Sequence, residues 1–365
     1  MSTRSSDHKK FLFIIQGEGR GHMTQAISLY RILKKNGHEV CEVIVGKSIR
    51  RQIPDFFYNQ LDGCKIDTIE SPNFITDKKN KSIRIRPTVI ANLKRLKTFR
   101  RSLNKLHQKV LEHQPDVIVN FYDFLGGIYN RLYPHSRFIC IAHQYLAQHP
   151  EFPFAKGNFW DRQSLKIANK VTSMKALKRL ALSFSDGYKH CEGIVITPPL
   201  LREELFSVHT LDENFILVYM VNDGYAEEVM NFHRDHPEVS LHCFWDRKNA
   251  QETEVVDETL CFHQINDVKF IEKMAACSGY ASTAGFESIC EAMLLGKPVM
   301  MVPVAGQYEQ ACNAIDAERA GAGICSDKFD IDILLDYISQ HKSNPTGFKE
   351  WVAKCETIIL PELTG

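Results

Sequence analysis

The chain has 365 residues, 44% of them hydrophobic and 24% charged, with a net charge of +1. That length exceeds one ordinary core and suits two domains of roughly 150 to 200 residues, while the balanced composition excludes disordered and fibrous classes. The charge is unevenly spread, because residues 78–109 hold twelve Lys and Arg and no Asp or Glu, a local excess that calls for its own explanation.

In chain order, residues 1–10 are polar and the apolar run at 11–15 is far too short for a signal-peptide core or a membrane span. Residues 11–16 read as a strand, 23–35 as a helix and 39–45 as the next strand, with further strands at 116–121 and 137–142. Such alternation builds a doubly wound parallel sheet. Pro87 is expected to open a long helix whose Val89, Leu93, Leu96, Phe99, Leu103, Leu106 and Val110 form an apolar stripe. Its other face carries Lys94, Arg95, Lys97, Arg101, Lys105 and Lys109, which suits either a solvated surface or an anionic membrane or lipid acceptor. Nucleic acid is disfavoured, since no interleaved aromatic or zinc motif accompanies the charge.

Pro198 and Pro199 mark a linker, because neither fits a helix interior or a central strand. A second series of strands and helices follows from residue 215 to residue 302, and residues 347–360 read as a last helix. The eleven cysteines contain no CxxC pair, and Cys140, Cys243 and Cys277 fall in apparent buried strands. They read as reduced thiols of a cytoplasmic protein.

Two loops carry the chemistry. Gly17, Glu18, Gly19, Arg20, Gly21 and His22 follow the first strand and lead into the first helix. Glycines there permit close backbone approach, and helix-start amides favour an anion. A dinucleotide fingerprint would have its third glycine where His22 stands and an acid after the second strand, which instead ends Val45, Gly46, Lys47. A dehydrogenase is therefore disfavoured. His22, at the carboxyl edge of the sheet, is either a loop-packing residue or a functional one.

The second loop is Ser282, Thr283, Ala284 and Gly285, running from a strand into a helix whose amides suit a diphosphate. Ser282 and Thr283 are expected to cap that helix. Glu291 lies further along it on the side of Glu287, where a carboxylate suits ribose hydroxyls, and Glu309, Gln310 and Asn313 follow the next strand with groups suited to a sugar. Asp330, Ile331 and Asp332 spell a metal-binding DxD, but they open an amphipathic helix where acids serve the cap and the dipole, so no metal is assigned there.

Together these loops resemble those of GT-B glycosyltransferases, in particular the family 28 group containing the enzyme that adds N-acetylglucosamine to undecaprenyl-linked muramyl-pentapeptide. Through residues 17–22 and Ile141, Ala142, His143 and Gln144, the chain also resembles a less characterised bacterial and archaeal glycosyltransferase branch. The resemblance implies two Rossmann-like domains facing a cleft: 1–200 for the acceptor, 201–343 for the donor, and 344–365 as a helix returning to the first domain. It implies that Ser282 to Gly285 hold the diphosphate, Glu291 the ribose, and Glu309, Gln310 and Asn313 the donor sugar, with His263 and Ile265 beside the base. The family often has two glutamines where this chain has Glu309 and Gln310.

On the acceptor side the resemblance makes His22 the base, its tautomer fixed by Asp123, in an inverting, metal-independent transfer from a nucleotide-sugar such as a UDP-sugar. The acceptor would be a hydroxyl, lipid-linked in the family 28 case, with the protein cytoplasmic or peripheral at the inner face of the membrane. Two other readings stand beside it: a nucleotide-sugar epimerase of the same architecture, and a non-catalytic binding subunit.

Overall fold

The computed structural model describes residues 8–47, 53–72, 92–157, 159–220, 223–247 and 250–365. In the first half, β1 (Lys10–Gln16), α1 (Arg20–Lys35), β2 (Glu39–Lys47), α2 (Asp55–Gln60) and β3 (Lys65–Glu70) are followed by α3 (Leu96–His113) and β4 (Val117–Phe121). Then come α4 (Phe124–Leu132), β5 (Phe138–Ile141), a 3-10 turn at His143–Gln148, α5 (Phe159–Thr172), β6 (Lys178–Leu182) and β7 (Ile194–Thr197). The strands form one parallel sheet in the order β3-β2-β1-β4-β5-β6-β7. Helices on both faces bury the central strands completely, which is why β5 is a run of apolar residues and β4 is one but for the buried Asn120, rather than alternating.

The second half holds β8 (Ile216–Met220), α6 (Ala226–Asp235), β9 (Leu241–Trp245), β10 (Thr253–Val255), β11 (Leu260–Gln264) and α7 (Asp267–Ala276). It continues through β12 (Gly279–Ser282), α8 (Phe286–Leu294), β13 (Val299–Met301), α9 (Tyr308–Arg319), β14 (Gly323–Cys325) and α10 (Ile331–Ile338). Its sheet runs β10-β11-β9-β8-β12-β13-β14. All pairings are parallel except β10 with β11, an antiparallel edge of three residues that the sequence pattern does not reveal.

In each sheet the strand order reverses beside the first strand, so the loops after β1 and β4, and the loop after β12, leave from a switch point. Ligands bind open α/β sheets at such points. One buried cluster covers the first sheet and runs on into Phe286, Ile289 and Cys290 of α8 and Cys312 of α9; a second, with Val218, Cys243 and Leu334, fills the far face of the second sheet.

The expected terminal helix is two, α11 (Pro345–Ala353) and α12 (Cys355–Thr364). The turn between them tightens at Lys354, whose N–H bonds the carbonyl of Trp351. Trp351 Nε1 donates to Ser183 O at 3.1 Å, Asn36 Nδ2 donates to Glu356 Oε1 at 3.0 Å, and α12 lies against β7.

Residues 78–91 of the basic stretch, with Pro87 and Val89, lie outside the described residues. Of the expected stripe, Phe99 and Leu106 are buried, whereas Leu93 and Leu96 are exposed. Much of the basic face is spent inside the molecule: Arg95 pairs with Glu70, Lys105 with Asp67 at 2.6 Å, and Lys109 with the fully buried Glu42 at 3.2 Å. Among the described residues no helix is long and apolar enough to cross a membrane.

Candidate active site

The first loop begins where backbone meets backbone. Gly17 N donates to Gly46 O at 3.0 Å, and a Cβ on Gly17 would sit 2.4 Å from that oxygen, so only glycine fits. The helix starts earlier than its apolar pattern suggests: Gly19 is the N-cap without a side-chain cap, and Arg20 and Gly21 form the opening turn. Glu18 is half-buried beside them. Arg20 reaches across to Asp246 at the end of β9, 3.2 Å away.

His22 is buried in that turn, stacked on Tyr122 with ring centroids 5.8 Å apart. Its Nδ1 meets Gln25 Oε1 at 3.2 Å, and Gln25 Nε2 donates to Glu287 Oε1 at 2.6 Å. Since Gln25 uses its amide N–H toward Glu287, its oxygen accepts from His22, which puts the imidazole proton on Nδ1 and the lone pair on Nε2. Burial pulls the pKa of His22 down to about 4, against a smaller rise from the Gln25 bond, so the ring is neutral at pH 7.

The hydrogen bonds of Asp123 go to a helix start rather than to His22. Asp123 is the N-cap of α4, where its Oδ1 accepts from Gly126 N at 3.0 Å and its Oδ2 lies without a hydrogen bond, close against Gly46. Burial raises its pKa to about 6, and no hydrogen bond joins it to His22 among the described residues. A capping acid after a strand satisfies orphan helix amides first; the orienting partner of His22 is Gln25, one helical turn on.

On the other side, β12 ends at the buried Ser282, Thr283 and Ala284. Ser282 Oγ donates to Thr283 O at 2.9 Å and Gly285 N to the same oxygen at 2.6 Å, which folds the chain tightly into α8. Gly285, not Ser282 or Thr283, is the N-cap, and no side chain caps this helix. Its first amides are therefore left for an anion. Glu287, in that first turn, is fully buried, and the loss of solvent raises its pKa well above the carboxylate range.

Glu291 is 3% exposed and already paired: Nε and NH2 of Arg202, four residues after the linker prolines begin, both reach its Oε1, at 2.8 and 2.7 Å. No hydrogen bond to its Oε2 is present among the described residues. Asn313 Nδ2 donates to Ala284 O at 3.3 Å, fastening α9 to the loop. Gln310 Oε1 accepts from Val304 N at 2.8 Å and so pins the loop after β13. Glu309 accepts from Gln144 of the first domain at 2.8 Å, and burial pushes its pKa to about 7.

The ring of His263 is buried beside His242, Cys261 and Thr253. Ile265, half-buried, follows β11 ahead of Asn266, the N-cap of α7. The DxD residues do not converge either: Asp330 makes no cap bond and pairs with Lys328 at 3.0 Å, and Asp332 meets His236 at 3.5 Å.

Two doubly wound sheets whose switch-point loops face one another define a GT-B enzyme, and the comparisons agree. A profile described as glycosyl transferase family 1 matches residues 9–341, and the chain belongs to that family. It is a glycosyltransferase. Among solved structures it is similar to Arabidopsis thaliana UGT89C1 complexed with quercetin (TM-score 0.61, 13% identity, 98% of this chain and 100% of that one). It is also similar to the glycotransferase of kitacinnamycin (TM-score 0.59, 14% identity, 98% and 96%). A third is Phytolacca americana UGT2 complexed with UDP-2-fluoro-glucose and pterostilbene (TM-score 0.57, 10% identity, 98% and 97%). At such identities the likeness is one of fold. No curated protein matches the chain.

Proposed function

We propose that the protein transfers a sugar from a nucleoside-diphosphate sugar to a hydroxyl acceptor with inversion, using His22 as base and no metal. The observation that carries this reading is the meeting of two uncapped helix starts across the domains, α1 with His22 and α8 with Gly285, joined by Gln25 and Glu287. The acceptor hydroxyl gives its proton to His22 Nε2 as its oxygen attacks the anomeric carbon. The bond from that carbon to the diphosphate oxygen breaks, and the electron pair leaves with the diphosphate toward the α8 amides and the helix dipole. A bound diphosphate also favours the protonated form of a nearby imidazole, raising the basicity of His22 when it is needed.

UDP is the nucleotide favoured by the family 28 resemblance, and the neighbour holding UDP-2-fluoro-glucose supports it. Ser282 to Gly285 then cradle the diphosphate, Glu291 Oε2 takes a ribose hydroxyl, and Glu309, Gln310 and Asn313 face the sugar. For the acceptor, a groove of about 410 Å³ lined by Leu93, Leu96, Phe99, Leu103, Leu125 and Ile128, with Arg100 at its edge, favours an apolar moiety. Exposed Lys94, Lys97 and Arg101 beside it suit an anionic lipid surface.

The test is a thermal-shift screen of UDP-, TDP- and GDP-sugars followed by anomeric NMR of the product. Stabilisation by one donor and an inverted linkage are expected; an epimer of the donor formed without acceptor would overturn the reading. Co-sedimentation that fails to distinguish anionic from neutral vesicles would remove the membrane contact.

A further inference from the structure

Three side chains of the second sheet converge on one point. Cys261 and His263 are two residues apart on β11 and share a face, and His242 on the adjacent parallel strand β9 is registered opposite Cys261. His242 Nδ1 lies 3.0 Å from His263 Nε2 and 2.9 Å from Cys261 Sγ, and Cys261 Sγ lies 3.2 Å from His263 Nε2. Helix α7 covers this face with Phe270, Lys269 and Lys273.

We propose that His242, Cys261 and His263 form a binding site for one divalent transition-metal ion of borderline softness, zinc above all. Two imidazoles and a thiolate suit zinc and its neighbours, not magnesium or calcium, which take oxygen. Metal bonds of about 2.0 to 2.3 Å require ligand atoms roughly 3.3 to 3.6 Å apart at tetrahedral angles, so the trio has to spread by roughly 0.3 to 0.7 Å. The outer hydrogen bonds fit as well. His263 Nδ1 meets Thr253 Oγ1 at 3.1 Å, and that oxygen also accepts from Lys269 Nζ at 2.8 Å. The hydroxyl keeps a second lone pair, so in the Nδ1–H tautomer His263 donates to it and the Nε2 lone pair is left for the metal.

Protonation is favourable at two positions and linked at the third. Burial, and then the lysines, hold His242 and His263 down at about 4, so both rings are neutral at pH 7. Burial raises the Cys261 thiol, so coordination releases its proton to solvent as the sulfur–metal bond forms. The charges facing the site are Lys269 and Lys273. Lys273 Nζ is 3.5 Å from His242 Nε2 and 4.9 Å from the centre of the Phe215 ring; coordination through Nδ1 places a proton on Nε2, and Lys273 turns toward Phe215. His242 and Cys261 are half-buried, which leaves solvent within reach for a fourth ligand. A metal here would staple β9 to β11, whose ends carry Asp246 and Ile265 to the cleft.

The experiment titrates chelator-treated full-length protein with Co²⁺ alone and reads the near-ultraviolet thiolate band and the visible d–d bands. One equivalent with both bands, bleached by Zn²⁺, is expected. Cys261→Ser should lose the near-ultraviolet band, His242→Ala should lose stoichiometric uptake, and Thr253→Val should weaken binding about 10- to 100-fold. Far-UV circular dichroism checks that each variant is folded, and a rise in the melting temperature of the wild type with Zn²⁺, absent in Cys261→Ser, reads the same site without cobalt. No stoichiometric uptake by the wild type, or an unchanged thiolate band in Cys261→Ser arising from another thiol such as the exposed Cys325, would overturn the proposal.

Discussion

Gln25 and Glu287 meet across the two domains, Nε2 to Oε1 at 2.6 Å, while the oxygen of Gln25 accepts from His22. The same amide thus fixes the tautomer of the proposed base and ties α1 to α8. Gln25→Leu keeps the volume and removes both bonds. It should lower kcat by about tenfold or more, short of the roughly 10²- to 10⁴-fold loss expected for His22→Ala. Donor KM should change little in His22→Ala and rise in Gln25→Leu, because only the latter loosens α8. Equal kcat in Gln25→Leu and wild type would dismiss the tautomer role.

The depressed pKa of His22 sets a pH limit. In the free enzyme the ring is neutral down to about pH 4, so the acid limb of kcat/KM attributable to His22 should fall near pH 4 rather than near 6.5. Stability has the matching sign. The unfolded chain binds the proton more readily between pH 6.5 and 4, so the contribution of neutral His22 is complete above pH 6.5 and is lost as the pH falls through that window. Equilibrium unfolding of His22→Gln should show a shallower loss across it.

Glu309 has the opposite sign. Its folded pKa of about 7 stands above the ordinary 4.5, so the folded protein holds a proton that the unfolded chain has lost. Stability from this group is complete below pH 4.5 and declines as the pH rises through 7, by on the order of 3 kcal/mol in all. Glu309→Gln keeps an acceptor for Gln144 and should flatten that decline, raising the melting temperature above wild type at pH 8. An unchanged pH profile would show that Glu309 is charged in the fold.

Arg202 and Glu291 separate stability from donor binding. Removing one partner of a buried ion pair costs about 3 to 5 kcal/mol, so Arg202→Met and Glu291→Ala should both melt at lower temperature. Only Glu291 also offers Oε2 to a ribose, so donor affinity, measured where both variants are folded, should fall further in Glu291→Ala. Equal affinities would reassign Glu291 to a purely structural pair.

These residues also show how far a sequence can be read. The two-sheet architecture was legible because buried parallel strands are unbroken apolar runs and each glycine loop sits between a strand and a helix. Gln25 was within reach, three residues after His22 on a helix, whereas its bond to Glu287 joins positions 262 residues apart and leaves no local trace. A carboxylate after a strand reads alike whether it orients a histidine or caps a helix, and the hydrogen bond of Asp123 is a capping one. Ser282 and Thr283 have capping chemistry, yet the turn puts Gly285 at the N-cap. That His242 lies beside His263 follows from strand order, which spacing along the chain does not reveal.

The return of the last helix has a mechanical consequence. The chain leaves the first domain at Pro198 and Pro199 and comes back through Lys354, where α11, held to Ser183 by Trp351, gives way to α12 on β7. A body tethered once can swivel in any direction, but one tethered twice turns chiefly about the line through its tethers. Opening of the cleft is thereby reduced toward a single rotation, and Arg20 with Asp246, Gln25 with Glu287 and Gln144 with Glu309 serve as the latch along its free edge.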